Sequence, residues 1–381
     1  MLKRFYHNNT PILSWADDIE EGAMKQATNL AELPFIYSHI ALMADTHQGF
    51  GMPIGGVMAT EDVVIPNAVG VDIGCGLIAA KTDIKEINKK QLKRIIDESY
   101  KVIPTGFKHH KKPQKWSGFN NPPDIKIIKK ELKSAKHQIG SLGGGNHFCS
   151  IEKGDEGYIW IMVHSGSRNL GFKVADYYNK EADRINAKEG YVPKEYNLSP
   201  LLLSSDVGEE YFEAMKYCLD FSRGNRERIF TLFYSIFSKV TGAKDLLNKI
   251  DIHHNYASKE SHFGKEVIVH RKGATRVRKG ELGVVPGSMG TPSYIVKGLG
   301  HPDSFMSCSH GAGRVISRKK ANKQFTKKEA NLAMGDIVFK DWGNDLSEAP
   351  MAYKDIERVI KNQKDLITPI VKLTPLAVMK G

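Results

Sequence analysis

Asp72 and Cys75 stand three residues apart in VGVDIGCG, with Cys75 between two glycines. Glycine on both sides leaves a thiolate open to approach, and a hard carboxylate oxygen beside a soft sulfur suits a divalent cation. Three further segments set histidine among small or amide residues. LGGGNHF holds Asn146 and His147, VHSGSRNLG holds His164, Ser165, Ser167 and Arg168, and DIHHNYASKE holds His253, His254 and Asn255. One such histidine is more often structural than a ligand. Four Gly- or Asn-flanked sites that together supply carboxylate, thiolate and imidazole point to a centre for Mn, Zn or Fe, and a bridging cysteine supports two metals.

A second set is built for anions. VVPGSMGTPSY contains Pro286, Gly287, Ser288 and Met289 in a Pro-Gly-Ser-x-Gly-Thr turn, closely followed by Ser293. Backbone N–H groups and hydroxyls in such a turn can form a nest for phosphates. VHRKGATRVRKG adds Arg271, Lys272, Arg276 and Arg278. In SHGAGRVISR, His310 precedes Gly311, Ala312 and Gly313, with Arg314 and Arg318 behind. Small residues let a nucleotide come close, and cations beside an exposed imidazole suit nucleophilic attack on phosphorus. An attacking imidazole must be neutral, so a pKa near or below about 6.5 would suit it. The absences narrow the class: the chain has no G-x-x-x-x-G-K-[ST], no G-x-G-x-x-G after a strand, no K-x-D-G and no H-x-[ST]. P-loop, dinucleotide, nucleotidyl-lysine and two-histidine phosphodiesterase chemistries are therefore disfavoured.

In their order and combination these runs resemble one family, the RtcB-type RNA-splicing ligases. The resemblance extends from ADTHQGFGMPIGG through VGVDIGCG, LGGGNHF, VHSGSRNLG, HHNYASKE, VHRKGATR, VVPGSMGTPSY and SHGAGRVISR to the closing LAVMKG. It implies an α+β fold, one compact domain over residues 1–381 with mixed sheets and a central metal and nucleotide cleft. It implies two Mn(II) ions: Cys75 bridges both, Asp72 and His147 complete one site, and His164 and His254 the other. His310 is implied to take GMP from GTP. Asn146, His254, Asn255, the Pro286–Met289 turn, Ser293, Gly311, Ala312, Gly313 and Lys380 are implied around the nucleotide, with Lys380 approaching the guanine. Arg168, Lys272, Arg314 and Arg318 are implied to face RNA, with Arg168 and Asp45 also in the catalytic set and His47 near the same cleft. The implied reaction joins an RNA 3′-phosphate or 2′,3′-cyclic phosphate to a 5′-hydroxyl through GMP-histidine and RNA-ppG intermediates, in tRNA splicing or RNA repair.

One position departs from the family, whose members usually read Asn-His-Phe-x-Glu with that glutamate on guanine. Here Ser150 occupies the acidic position, and Glu152 lies two residues further on, reaching the same place only with a shift along the strand. Guanine selectivity is in question on that account. Two alternatives stay open: a paralogue repairing cleaved rRNA or tRNA with altered nucleotide choice, and a metal-dependent cyclic phosphodiesterase that does not ligate.

The elements that must position these residues are only partly legible. NKKQLKRIIDESYK (88–101) puts Leu92, Ile95, Ile96 and Tyr100 on one helical face. A longer helix starts near Asp206, with Asp206 and Glu209 as a capping box and a kink or break expected at Gly224. Elsewhere short apolar strands lead into Gly-rich loops: IALMAD into THQGFGMPIGG, YIWIMV into HSGSRNLG, KEVIV into HRKGATR, LGVV into PGSMGT. Residues 104–123 read as an exposed basic loop, with Trp116 suited to stacking on unpaired bases. The formal charge of +12 favours a polyanion partner such as RNA. Four widely spaced cysteines, with no Cys-x-x-Cys, argue against a disulfide framework or zinc ribbon. No run of about 18 apolar residues and no secretory signal is found, so a cytoplasmic protein free of membranes is expected, with a monomer as the working oligomeric state.

Overall fold

The structure is a computed structural model and describes residues 3–381. An apolar run with no polar alternation needs cover on both faces. The run IWIMVHS (Ile159–Ser165) is buried throughout and lies inside a seven-stranded antiparallel sheet. The order there is Leu246–His253, Gly76–Thr82, Ile159–Ser165, Phe148–Gly154, Ile367–Lys380, Ser293–Gly298 and Leu282–Val285. Alternate residues feed separate cores. Ile78, Ile161 and Val163 pack with Ile95, Ile96, Phe230, Phe233 and Phe237 from the helices Lys89–Val102 and Asp206–Thr241. Leu77, Ala79, Trp160 and Met162 pack with Val284, Ile295 and Leu373.

A six-stranded mixed sheet carries the second half of the site. Its order is Lys3–His7, Thr10–Ser14, Ile36–Phe50, Met52–Thr60, Lys265–Lys272 and Asn255–His262, with Thr10–Ser14 parallel to Ile36–Phe50. Val57, Ala59, Val267 and Val269 from this sheet share a core with Val285, Tyr294 and Val296 from the other. The fold class is α+β, as expected. Among the described residues no helix is long and apolar enough to cross a membrane.

Several local expectations change. The helix read at 88–101 forms as Lys89–Val102, capped by a reciprocal Asn88–Gln91 box. The long helix is capped by Ser205 rather than Asp206 and runs unbroken to Thr241. Gly224 is there for packing: a Cβ would sit 2.5 Å from the Trp116 indole nitrogen. Trp116 itself packs on Phe119, Tyr217 and Phe221, so it is no free stacking platform. THQGF is strand, not loop, forming a long irregular hairpin with Met52–Thr60. VHSGSRNLG leads into the 22-residue helix Arg168–Glu189, which the sequence reading missed.

Candidate metal and nucleotide site

Antiparallel strands alternate direction, so the start of one lies beside the end of its neighbour. Gly76 pairs with both Ser165 and His253, and Phe148 pairs with His164. Cys75, His147, His164 and His254 therefore meet at one edge of the sheet, although they are spread over 180 residues of chain. Asp72 joins them from the loop before Cys75, its carboxylate held by the Ser167 N–H at 3.2 Å.

Hydrogen bonding assigns the lone pairs. His147 donates Nδ1–H to the Leu142 carbonyl and His164 donates its own to the Asn146 carbonyl, each at 2.9 Å. A neutral imidazole donating at Nδ1 presents a bare lone pair at Nε2. The His147 Nε2 lies 3.0 Å from Asp72 Oδ2 and 3.4 Å from Cys75 Sγ, and the His164 Nε2 lies 3.2 Å from that sulfur. Acceptors converging in this way fit a cation, and carbonyl-anchored imidazoles are the usual support of metal ligands. Cys75, His147 and His164 form a group that could hold a metal ion. Burial and neighbouring rings push His164 and His254 well below the usual histidine range, so both are neutral donors. His254 lies 5.2 Å from the His164 ring, and its buried Nδ1 has no partner. Burial and the Asp72 charge push the Cys75 thiol up, so a thiolate there calls for a bound cation.

Beyond His254 the row continues to His310, 4.9 Å away between ring centres. His310 donates Nδ1–H to Asp45 Oδ2 at 2.7 Å, and the same oxygen accepts the backbone N–H groups of His310 and Gly311. Asp45 is fully buried. Burial opposes its charge, but the His310 ring and its hydrogen bond, with His47 and Lys354, outweigh this and hold the carboxyl below its ordinary range. His310 thus has an ionised orienting partner on one ring nitrogen and Nε2 left for attack. His47 is pushed down to about 4 by burial and is neutral.

A cavity opens beside this row. His310, Gly311, Ala312, Gly313, Pro286, Gly287, Ser288, Met289, Ser293, Asn146, Arg314, Arg318 and Lys380 all line it, as do His47, His147 and His164. The expected phosphate nest is changed, however. Its N–H groups at Gly287, Ser288 and Gly290 are taken by the hydroxyls of Ser293, Thr291 and Ser288, so the turn is a self-capped wall. Asn255 is absent from the lining and ties the Asp72 carbonyl to the Gly273 N–H. Lys272 is also misplaced as an RNA contact: it is buried, with its ammonium on the carbonyls of Phe50 and Asn67. Arg314 is held by Ile316, Ser347, Glu348 and Tyr353, and Arg318 by Glu348 with half its side chain exposed. Lys380 is engaged by Asp345. Arg168 takes a left-handed backbone (φ 55°), a conformation costing an L-residue roughly 1–2 kcal/mol, and its guanidinium spans Ser141 and Gly106. A Cβ on Gly143 would collide with that guanidinium and with the His147 ring.

Two groups, Asn225 and Arg226, escaped the sequence reading, and the structure settles where Glu152, noted there only as an offset neighbour of Ser150, points. Ser150 donates to Glu152 Oε1 at 2.7 Å, and both line the cavity from the strand Phe148–Gly154. Glu152 is buried, paired across the ladder with Pro375, and burial raises its carboxyl to about 7. Asn225 and Arg226, on the long helix, pin the loops that carry the donors. Asn225 bonds to the Gly140 N–H and to Ser141, Ser165 and Gly166, while fully buried Arg226 reaches Gly74, Ser165 and Asp251.

The chain matches known proteins over nearly its whole length. The family profile described as tRNA-splicing ligase RtcB matches residues 26–381. The chain is 36% identical to the RNA-splicing ligase RtcB of Escherichia coli K12, over 98% of both chains. It is 31% identical to the tRNA-splicing ligase RtcB of Thermococcus kodakarensis, over 95% of this chain and 92% of the relative. The RNA-splicing ligase RtcB of Mycobacterium tuberculosis is 30% identical, over 93% and 100%.

Proposed function

Because the chain belongs to the RtcB family of RNA-splicing ligases, we propose that it joins an RNA 3′-phosphate or 2′,3′-cyclic phosphate to a 5′-hydroxyl, using GTP and two Mn(II) ions. The observation that carries this reading is the continuous row Asp72, His147, Cys75, His164, His254, His310, Asp45 beside one cavity. Asp72, Cys75 and His147 would hold one ion, and Cys75, His164 and His254 the other. Cations held there would supply positive charge to offset that of the phosphates.

The protein's own groups do the rest. His310 Nε2 attacks the α-phosphorus of GTP as the bond to pyrophosphate breaks, and Asp45 balances the positive charge that develops on the ring. An RNA 3′-phosphate oxygen then attacks that phosphorus, the P–N bond breaks and the imidazole is released. The 5′-hydroxyl attacks the activated RNA 3′-phosphorus, and GMP leaves. A cyclic end is opened beforehand by water, whose oxygen bonds to phosphorus as the P–O2′ bond breaks and the 2′-oxygen takes up a proton. Arg168 and Arg318 meet the RNA phosphates. A phosphodiesterase alone would have no use for His310 backed by a buried carboxylate.

Glu152 takes over base selection from the absent carboxylate at position 150. As a carboxylate it accepts the adjacent N1–H and N2–H donors of guanine, whereas adenine presents a bare ring nitrogen there. Once protonated, the same group can donate to that nitrogen. The carboxyl is raised to about 7, so preference for GTP over ATP should strengthen as pH rises through that value. The test is sealing of two RNA fragments, one ending in a cyclic phosphate and one beginning with a 5′-hydroxyl. Joining with GTP and Mn(II) is expected, with a GTP/ATP ratio that climbs with pH in the native protein and stays flat in Glu152→Gln. Opening of the cyclic end without joining would contradict the ligase reading.

A further inference from the structure

Phe107 stands 105% exposed, the most exposed large apolar side chain among the described residues. Burying such a ring would stabilise the fold, and this fold forgoes it. The peptide that carries it is nevertheless tightly placed. Gly106 donates its N–H to the Gly143 carbonyl at 2.6 Å, and its own carbonyl accepts from Arg168 at 3.0 Å. Pro104 accepts the Leu142 N–H at 2.8 Å. Leu142 and Gly143 belong to the segment that anchors and carries His147, and Arg168 follows the loop after His164, so the ring is held at the rim of the candidate site. Around it, Lys108, Lys111, Lys112 and Lys115 are exposed, and residues 104–123 contain no Asp or Glu.

We infer that Phe107 is a stacking platform for an unpaired base of the RNA end entering the site, with the flanking lysines taking neighbouring phosphates. An exposed aromatic ring in a segment whose charged residues are all lysines matches a polyanion that carries flat apolar rings. It matches a protein surface less well, since that would leave the lysines without counter-charges. The role falls to Phe107 because Trp116 and Phe119, the other large aromatics of this loop, pack against each other and against Phe221. The inference rests on the RNA-joining reading for its substrate but not for its test.

The test is binding of a fluorescent single-stranded RNA, in parallel with guanylylation of the protein, which needs no RNA. Phe107→Ala should weaken RNA binding about 5- to 150-fold while guanylylation stays normal, and Phe107→Trp should restore binding. An abasic nucleotide at the stacked position should weaken native binding by a similar factor and leave Phe107→Ala unaffected. Equal RNA affinity of native protein and Phe107→Ala would overturn the inference and leave the ring to a protein partner. Failure of guanylylation in the native protein would count against the proposed function instead, because the RNA-binding arm reads out independently.

Discussion

Asp45→Asn is expected to slow guanylylation of His310 by about 10²- to 10³-fold, with GTP binding nearly unchanged. Asp45 Oδ2 accepts three donors, the His310 ring Nδ1–H and the backbone N–H groups of His310 and Gly311. The two backbone donors keep an oxygen at that point, so an amide should orient its oxygen the same way and preserve the tautomer. The charge is lost. As Nε2 bonds to phosphorus the ring becomes cationic, and a buried carboxylate stabilises that state far more than a neutral amide does. The pH sign follows. The carboxyl lies below its ordinary range in the folded protein, so its contribution to stability is present above the unfolded pKa and fades only as pH falls through the folded one. The pair should therefore hold throughout neutral pH. Single-turnover labelling of the two proteins measures the effect, and equal rates would remove Asp45 from the mechanism.

Cys75→Ala is expected to weaken metal binding at least about 100-fold and to abolish sealing. Changes to residues that merely support metal ligands cost 10- to 100-fold, and Cys75 lies at the centre of the donor set. Its sulfur lies within 3.4 Å of His147 Nε2 and 3.2 Å of His164 Nε2. The thiol is pushed up when no cation is bound, so metal uptake should release a proton and tighten as pH rises. The change should barely affect the melting temperature of metal-free protein while removing the rise that metal produces. Equilibrium dialysis with Mn(II) and Zn(II), together with thiolate-to-cobalt absorption on Co(II) substitution, reads this without activity. An unchanged metal content with the thiolate band still present would exclude Cys75 as a ligand.

The donors were legible because glycine and asparagine flank them, a local signal. Their convergence was not local. It depends on the antiparallel register that sets Gly76 against Ser165 and His253, and no single motif encodes that register. Lys272 shows the limit of counting charges. It lies in a basic run, but its strand is interior to the six-stranded sheet and the ammonium turns onto two carbonyls. Glu152 was nearer to hand: residues two apart share a strand face, so Ser150 and Glu152 had to point into the same space. The helix Arg168–Glu189 also left a trace. Leu170, Val174, Tyr178, Ala182 and Asn186 recur every fourth residue and all are buried, but the glycines before them read as loop. Asn225 and Arg226 had no pattern of their own, since a buried polar pair is recognised only by the loops it meets.

The central claim is that His310 carries the nucleotide, and covalent labelling tests it most directly. The protein is incubated with Mn(II) and α-labelled GTP or ATP, then denatured, with His310→Ala alongside. Label from GTP that survives denaturation and is lost in the variant is the predicted result. No label on the metal-loaded native protein, or equal label on His310→Ala, would contradict it.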